Sequence, residues 1–212
     1  MERYIRQLSL PEMDLLKQEK LGQTSVLMIG AGGLGAAALP YLAGAGIGKI
    51  TIMDRDYVDI SNLHRQILYK TADVGKGKAQ LTADHLRALN PEIEVIAINE
   101  KLTKENMDQF CNGHDLLIDG TDNFKSKSLL NEASVKFQTP LLSASVNRFE
   151  AQIGIYNGAQ NNAPCYHCVF PQLPEQAMNC SEAGLFGTSA GLAGLYQANI
   201  ALLYLTGIGG ME

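Results

Sequence analysis

A glycine-rich turn near the N-terminus is the strongest indication of chemistry in this chain of 212 residues. Glycines at positions 30, 32, 33 and 35 follow an apolar segment, residues 26–29, and lead into a segment of small residues, 36–45. Glycine lets a backbone turn tightly and approach a ligand, and the free N–H groups at the start of a helix attract anions. The pattern therefore predicts a phosphate-binding cradle formed by Gly30, Gly32, Gly33 and Gly35.

A carboxylate follows at the spacing expected for a nucleotide site. Asp54 closes the next apolar segment, residues 49–53, and lies 24 positions after Gly30. An acidic side chain at that place can accept hydrogen bonds from both hydroxyls of a ribose. Phosphate turn and carboxylate together predict a bound nucleotide, but the spacing fits NAD at least as well as ATP.

Three polar segments further along the chain add charged groups. Residues 56–66 include Asp56, Asn62 and Arg65, residues 73–78 place two lysines at a predicted helix start, and residues 118–123 include Asp122. A cation at a helix N-terminus is unfavourable, which suggests that an anion holds one of the lysines there. A triphosphate with magnesium would account for the set, with Arg65 and Lys78 near the phosphates and Asp122 on the metal.

Strand-like and helix-like segments alternate around these groups. Predicted strands cover residues 25–29, 49–53, 93–98, 116–119 and 140–145, and predicted helices cover 34–45, 78–90, 104–111 and 125–137. This order indicates an α/β, Rossmann-like fold, a mainly parallel sheet with helices on both faces. Residues 150–156 alternate polar and apolar, as an antiparallel strand does, and a long irregular crossover loop (157–179) and an apolar helix (191–205) follow.

Composition sets limits on the class of protein. The chain is long enough for one domain with a real core, and 17 basic against 22 acidic residues give a net charge of −5, which is no nucleic-acid footprint. No apolar run reaches the roughly 20 residues that span a bilayer, and the N-terminus lacks a signal-peptide core. We therefore expect a cytoplasmic protein whose four cysteines are reduced and serve metal binding or catalysis.

The motifs taken together resemble the HesA/MoeB/ThiF family, the bacterial relatives of ubiquitin-activating enzymes. The matching segments are residues 3–7, 30–35, 61–66, 75–78, 119–123, 165–168 and 179–184, which extend over nearly the whole chain. Any one of them would be weak evidence, but their common order is specific. The resemblance implies a single adenylation domain over 1–212, with an N-terminal arm (1–24), a nucleotide-binding core (25–145) and a carrier-facing part (146–212).

The resemblance also implies an activity and roles for particular residues. Members adenylate the C-terminal Gly-Gly carboxylate of a small ubiquitin-like sulfur carrier with ATP and Mg²⁺, for sulfur transfer in thiamin or molybdopterin biosynthesis. A cysteine desulfurase or another sulfur donor would then act on the carrier. The implied roles are phosphate contact for Asn62, Arg65 and Lys78, magnesium binding for Asp122, and nucleotide binding for the glycine turn, Asp54 and Asp56. Arg6 is similar to an arginine that reaches into the partner's site, which implies a catalytic homodimer.

The cysteines match the family pattern only in part. Many members hold zinc with two Cys-x-x-Cys pairs, whereas Cys165 and Cys168 form one pair and no second pair follows before Glu212. A zinc site is therefore expected to be incomplete unless His167, Cys180 or another subunit contributes, and the short C-terminus puts full activity in doubt. Cys180 lies where related enzymes carry a cysteine that links to the carrier, although a passive role is equally compatible.

Two other functions stay open from the sequence. The glycine turn and Asp54 also suit an NAD-dependent oxidoreductase, but no set of residues for hydride transfer accompanies them. A truncated, non-catalytic homologue that only binds a carrier is the other, and the presence of Arg65, Lys78 and Asp122 speaks against it.

Overall fold

A six-stranded sheet forms the centre of the protein. The computed structural model describes residues 2–158, 163–172 and 184–210. The strands are β1 (Ser25–Ile29), β2 (Lys49–Met53), β3 (Glu94–Ile98), β4 (Leu116–Asp119), β5 (Leu141–Asn147) and β6 (Glu150–Tyr156). Their order is β3-β2-β1-β4-β5-β6, and all neighbours pair in parallel except the antiparallel β5 and β6. The predicted mainly parallel sheet with an antiparallel strand over residues 150–156 is confirmed.

Helices cover both faces of this sheet. They are α1 (Ile5–Leu8), α2 (Leu15–Gln23), α3 (Gly33–Ala45), α4 (Lys78–Leu89), α5 (Met107–Cys111), α6 (Phe124–Phe137), α7 (Tyr166–Val169) and α8 (Gly187–Thr206). One buried cluster joins α3, α4 and α8 to one face of the sheet, and a second joins α5, α6 and α7 to the other. Strands covered on both faces have near-continuous apolar sequences, as β1 and β4 do.

Helix α7 corrects the prediction of an irregular stretch over residues 157–179. Its Tyr166 is buried, with ring centroids 5.3 Å from Tyr156 and 4.9 Å from Phe170. This aromatic packing against β6 anchors a short helical turn that the prolines around it did not suggest. The remaining predicted helices and strands lie within a few residues of those observed.

The sheet order changes direction between β1 and β4. From β1 the chain proceeds through β2 to β3 on one side, and β4, β5 and β6 then fill the other side. Ligands of open α/β sheets bind outside the carboxyl ends of the strands at such a switch point. Gly30 follows β1 and Gly120 follows β4, so the two turns at this point flank one crevice.

In the described part of the chain, no helix combines the length and apolar character that crossing a membrane requires.

Candidate active site

The glycine turn packs closely against the turn that follows β4. Gly30 has a φ of 96°, and a Cβ added there would lie 2.8 Å from the carbonyl oxygen of Gly120. Gly32 precedes α3 as its N-cap residue, so the first N–H groups of that helix face the crevice without carbonyl partners in the helix. Any larger residue at position 30 would push the β1 and β4 turns apart.

Gly35 does not belong to the lining of the cleft, contrary to the predicted cradle. A Cβ at this position would collide with the carbonyl oxygen of Gly30. Its small size therefore lets the first turn of α3 pack directly against the glycine turn. Gly30, Gly32 and Gly33 do line the cleft.

Asp54 holds the glycine turn in place. Its carboxylate accepts hydrogen bonds from the backbone N–H groups of Ala31 and Asp56, both at 2.7 Å. Burial raises the pKa of this carboxyl above its usual value, and those two hydrogen bonds oppose the rise. A carboxylate oxygen has a second lone pair, so Asp54 can still accept from a ribose hydroxyl. The Tyr69 hydroxyl also supports the turn, because it donates to the Ala31 carbonyl at 2.7 Å. Nothing in the sequence indicated this role.

The crevice opens into one large cleft of about 910 Å³. It collects most of the residues predicted for the site. The predicted residues in its lining are Gly30, Gly32, Gly33, Asp54, Asp56, Asn62, Arg65, Lys78 and Asp122. A space of this size is ample for a nucleotide together with the end of an extended peptide.

The wall of the cleft that residues 62–78 form carries two of its cations, Arg65 and Lys78. Lys78 is the first residue of α4, its side chain is only 6% exposed, and its Nζ lies 3.6 Å from Asp56 Oδ2. The Arg65 guanidinium donates to the Ser61 carbonyl at 3.1 Å, which orients it along the same wall. By contrast, Lys76 is 57% exposed and pairs with Asp73 at 2.9 Å. Of the two lysines at this helix start, Lys78 is therefore the one that faces the cleft.

The turn after β4 contributes an exposed carboxylate to the lining of the cleft. Asp122 is exposed in the cleft, and no ion pair involves it within the described residues. Its sequence also allowed a helix-capping role, but Asn123 caps α6 instead, accepting from the Ser126 N–H at 2.9 Å. An exposed carboxylate that neither caps a helix nor pairs with a cation suits a hard metal ion such as Mg²⁺.

Two further side chains in the lining had no part in the sequence-based prediction. Lys127 of α6 and Gln66, which follows Arg65, both reach the cleft although they are almost fully buried. Buried polar residues at a ligand cleft are rarely identifiable from sequence, because a single amino-acid sequence shows neither their burial nor their hydrogen-bond partners. The predicted helix over residues 125–137 does not by itself tell whether Lys127 points into the protein or into solvent.

Comparison with known proteins settles the relationship that this geometry suggests. The ThiF family profile matches residues 4–212.

The chain belongs to the ThiF family.

Among relatives of this ThiF-family protein is the sulfur carrier protein adenylyltransferase of Thermus thermophilus. It is 40% identical over 214 residues, which cover 99% of this chain and 79% of the relative. The adenylyltransferase and sulfurtransferase MOCS3 of Aedes aegypti is 41% identical over 211 residues, 99% of this chain but 48% of that protein. The chain thus spans about half the length of the MOCS3 relative.

Solved structures of Escherichia coli MccB share the fold of this ThiF-family protein. One of them superposes with a TM-score of 0.85 at 24% identity, covering 98% of this chain and 63% of MccB. At that identity the likeness establishes the architecture, and it agrees with the predicted Rossmann-like α/β class.

The cysteine pair of this ThiF-family protein lies away from the cleft. The sulfur atoms of Cys165 and Cys168 are 3.4 Å apart at the start of α7. Partial burial acts to raise the pKa of Cys165, but hydrogen bonds from Cys168, Asn131 and His167 outweigh it and leave that pKa below its usual value. The His167 ring is already bonded to Ser128 at 2.8 Å. Among the described residues no group of three or more His, Cys, Asp or Glu side chains is placed to hold a metal ion.

Two predicted catalytic residues are not brought to the cleft by the described chain. Arg6 is exposed on α1 and does not line the cleft of its own chain. Cys180 lies outside the described residues. Their roles therefore stay predictions.

Proposed function

We propose that this ThiF-family protein uses ATP to adenylate the C-terminal carboxylate of a small ubiquitin-like sulfur carrier that ends in Gly-Gly. The observation that carries the proposal is the cleft itself, whose lining brings together the glycine turn, the cations Arg65 and Lys78, and the exposed carboxylate of Asp122. The relative in Thermus thermophilus is named for adenylation of a sulfur carrier protein, which supports this substrate class.

The reaction needs little acid–base chemistry from the protein. The carrier's terminal carboxylate is already ionised at pH 7, so it attacks the α-phosphorus of ATP without a general base. The bond from that phosphorus to the bridging oxygen breaks, and pyrophosphate leaves with the electron pair, giving an acyl adenylate. Catalysis then depends on positioning and on neutralising phosphate charge.

The residues that line the cleft would divide these tasks. The turn at Gly30–Gly33 and Asp54 would hold the nucleotide, while Asn62, Arg65 and Lys78 would contact its phosphates. Asp122 would bind Mg²⁺, which supplies further neutralisation of the phosphate charge when bound. We place the enzyme in the cytoplasm, as a homodimer served by a desulfurase or another sulfur donor, in thiamin or molybdopterin biosynthesis.

Carrier-dependent exchange of labelled pyrophosphate into ATP is the direct test. Purified protein with Mg²⁺ and a Gly-Gly carrier should catalyse exchange, and the same carrier lacking its last glycine should not support it. Binding of NAD without exchange would instead favour an oxidoreductase. Binding of the carrier without exchange would favour a non-catalytic homologue, and either result contradicts the proposal.

Arg6 provides a prediction about the dimer. Arg6 lies outside the cleft of its own chain. We therefore expect Arg6→Ala to abolish exchange only because the partner subunit's cleft then lacks this arginine. Mixing Arg6→Ala with Asp122→Ala protomers should regenerate one intact site per heterodimer, or about a quarter of wild-type exchange after random re-pairing. If heterodimers form, as native mass spectrometry would show, and the mixture stays inactive, Arg6 does not act across the interface.

Cys180 provides a prediction about the step after adenylation. If its thiolate attacks the carbonyl carbon of the acyl adenylate, forming a thioester and releasing AMP, Cys180→Ser should leave pyrophosphate exchange within about twofold of wild type, because adenylation comes first. Sulfur transfer should fail instead. Non-reducing intact mass spectrometry with ATP, carrier and a persulfide donor should show an adduct that the serine variant lacks. Cys111→Ser is the matched control. An adduct that persists in the Cys180→Ser variant would show that Cys180 does not bind the carrier covalently.

A further inference from the structure

A buried charge pair lies directly beneath the loop that carries Asp122. Lys127 of α6 and Asp119 at the end of β4 form it, with Nζ 2.6 Å from Oδ2 and side-chain exposures of 4% and 0%. Lys127 also contributes to the floor of the cleft. This pair therefore connects the packed interior to the loop that presents the exposed Asp122 carboxylate.

The remaining atoms of the pair are used to fix the surrounding backbone. Lys127 Nζ donates to the Ala144 carbonyl at 2.8 Å and to the Ser143 hydroxyl at 3.3 Å, both on β5. The Ser143 hydroxyl in turn donates to Asp119 Oδ2 at 2.6 Å. One ammonium group thus joins α6, the end of β4 and the middle of β5.

The other oxygen of Asp119 controls the loop itself. Oδ1 accepts both the backbone N–H of Thr121, at 2.9 Å, and its hydroxyl, at 2.7 Å. Thr121 immediately precedes Asp122, so the position of the Asp122 carboxylate depends on where Asp119 is held. From the other side, the Gln197 amide of α8 donates to the Asp119 carbonyl at 2.8 Å.

Stability alone is a poor reason to bury such a pair. Taking two charges out of water costs free energy that their attraction often fails to recover, and apolar replacements of similar volume are frequently neutral or stabilising. The pair does supply a fixed geometry, since its hydrogen bonds tie the Thr121 end of the loop to β5 and α6.

We infer that Lys127 is a positioning residue for the adenylation reaction: through Asp119 and Thr121 it sets the Asp122 carboxylate where a magnesium ion must bind. The inference rests on the proposed function and assigns Lys127 no contact with substrate. Outer partners of a metal-binding group typically affect metal affinity by about 10 to 100-fold. Lys127→Met should therefore raise the half-saturating Mg²⁺ concentration by a factor in that range.

The experiment titrates Mg²⁺ in two assays on the full-length protein. The first is carrier-dependent exchange, and the second is calorimetric binding of a non-hydrolysable ATP analogue. Lys127→Met should shift the Mg²⁺ midpoint in both, and Lys127→Arg, which keeps the charge, should restore most of it. Lys136→Met is the matched control, because that lysine pairs with Asp108 at 2.6 Å on the surface, away from the cleft. It should leave both midpoints unchanged.

Asp119→Asn keeps the inference testable if Lys127→Met does not fold. It should shift the Mg²⁺ midpoint in the same direction, and the double variant should shift it by less than the product of the two single changes, because both act through one network. Unchanged midpoints with only a smaller active fraction would overturn the inference, and so would independent effects. The analogue-binding arm gives this answer even if wild-type protein shows no exchange, a result that would count against the proposed function alone.

Discussion

Asp122→Asn is expected to lower carrier-dependent pyrophosphate exchange by roughly 10² to 10³-fold, the usual loss when one preorganised charge-stabilising group is removed from an active site. Asparagine keeps the size of the side chain but has no negative charge to bind Mg²⁺. The fold should survive, because Asp122 is exposed, Asn123 caps the helix, and no ion pair in the described part of the chain depends on Asp122. Far-UV circular dichroism and the urea midpoint should match wild type.

Asp108→Asn is the matched control for this prediction. It is the same change at a surface carboxylate on α5, where Asp108 pairs with Lys136. Exposed pairs contribute only about 0.2–1 kcal/mol, so stability should fall slightly and exchange should be unaffected. Near-normal exchange in Asp122→Asn, or an equal loss in both variants, would remove Asp122 from the mechanism.

The convergence of the site was predictable because it follows from topology. Parallel strands place their carboxyl ends at one edge, so Gly30, Asp54 and Asp122 had to approach one another once the alternation of strands and helices was recognised. The continuous apolar sequences of β1 and β4 are typical of strands covered on both faces, and nearly all residues of these two strands are buried.

What sequence could not supply is how each polar side chain is used. Asp54 was predicted only to accept from a ribose, and the sequence did not show that its two oxygens also hold the backbone of Ala31 and Asp56. Gly35 belongs to the same sequence motif as Gly30, yet its lack of a side chain lets α3 pack against the glycine turn. Asp119 and Asp122 are three positions apart and differ completely in burial, which only the packing of α6 and β5 decides.

The Lys127–Asp119 ion pair could not be predicted from the sequence either. Eight positions and a helix start separate the two residues, so no spacing rule for helices or strands connects them. The partners on β5 are contributed by a strand further along the chain. Such a network becomes visible only after the sheet order is known.

Replacing Lys78 should separate activity from stability. The Lys78 side chain is 6% exposed, with its ammonium 3.6 Å from Asp56, a carboxylate that is itself largely in solvent. Burying a lysine is costly to the folded state even beside a partly solvated carboxylate, and a phosphate bound in the cleft would supply a further counter-charge. Lysines at such positions are typically retained for function at the expense of stability.

Lys78→Met should therefore reduce pyrophosphate exchange by roughly 10² to 10³-fold, while the free energy of unfolding stays the same or rises by up to about 1 kcal/mol, because methionine fills a similar volume without a buried charge. Urea unfolding and the exchange assay measure the two effects. Lys76→Met is the control: it removes an exposed lysine two positions earlier, whose pair with Asp73 lies outside the cleft, and exchange should remain within about twofold of wild type. If Lys78→Met loses stability in proportion to activity, or if Lys76→Met is equally inactive, the lysine at the start of α4 supports the fold and does not bind the triphosphate.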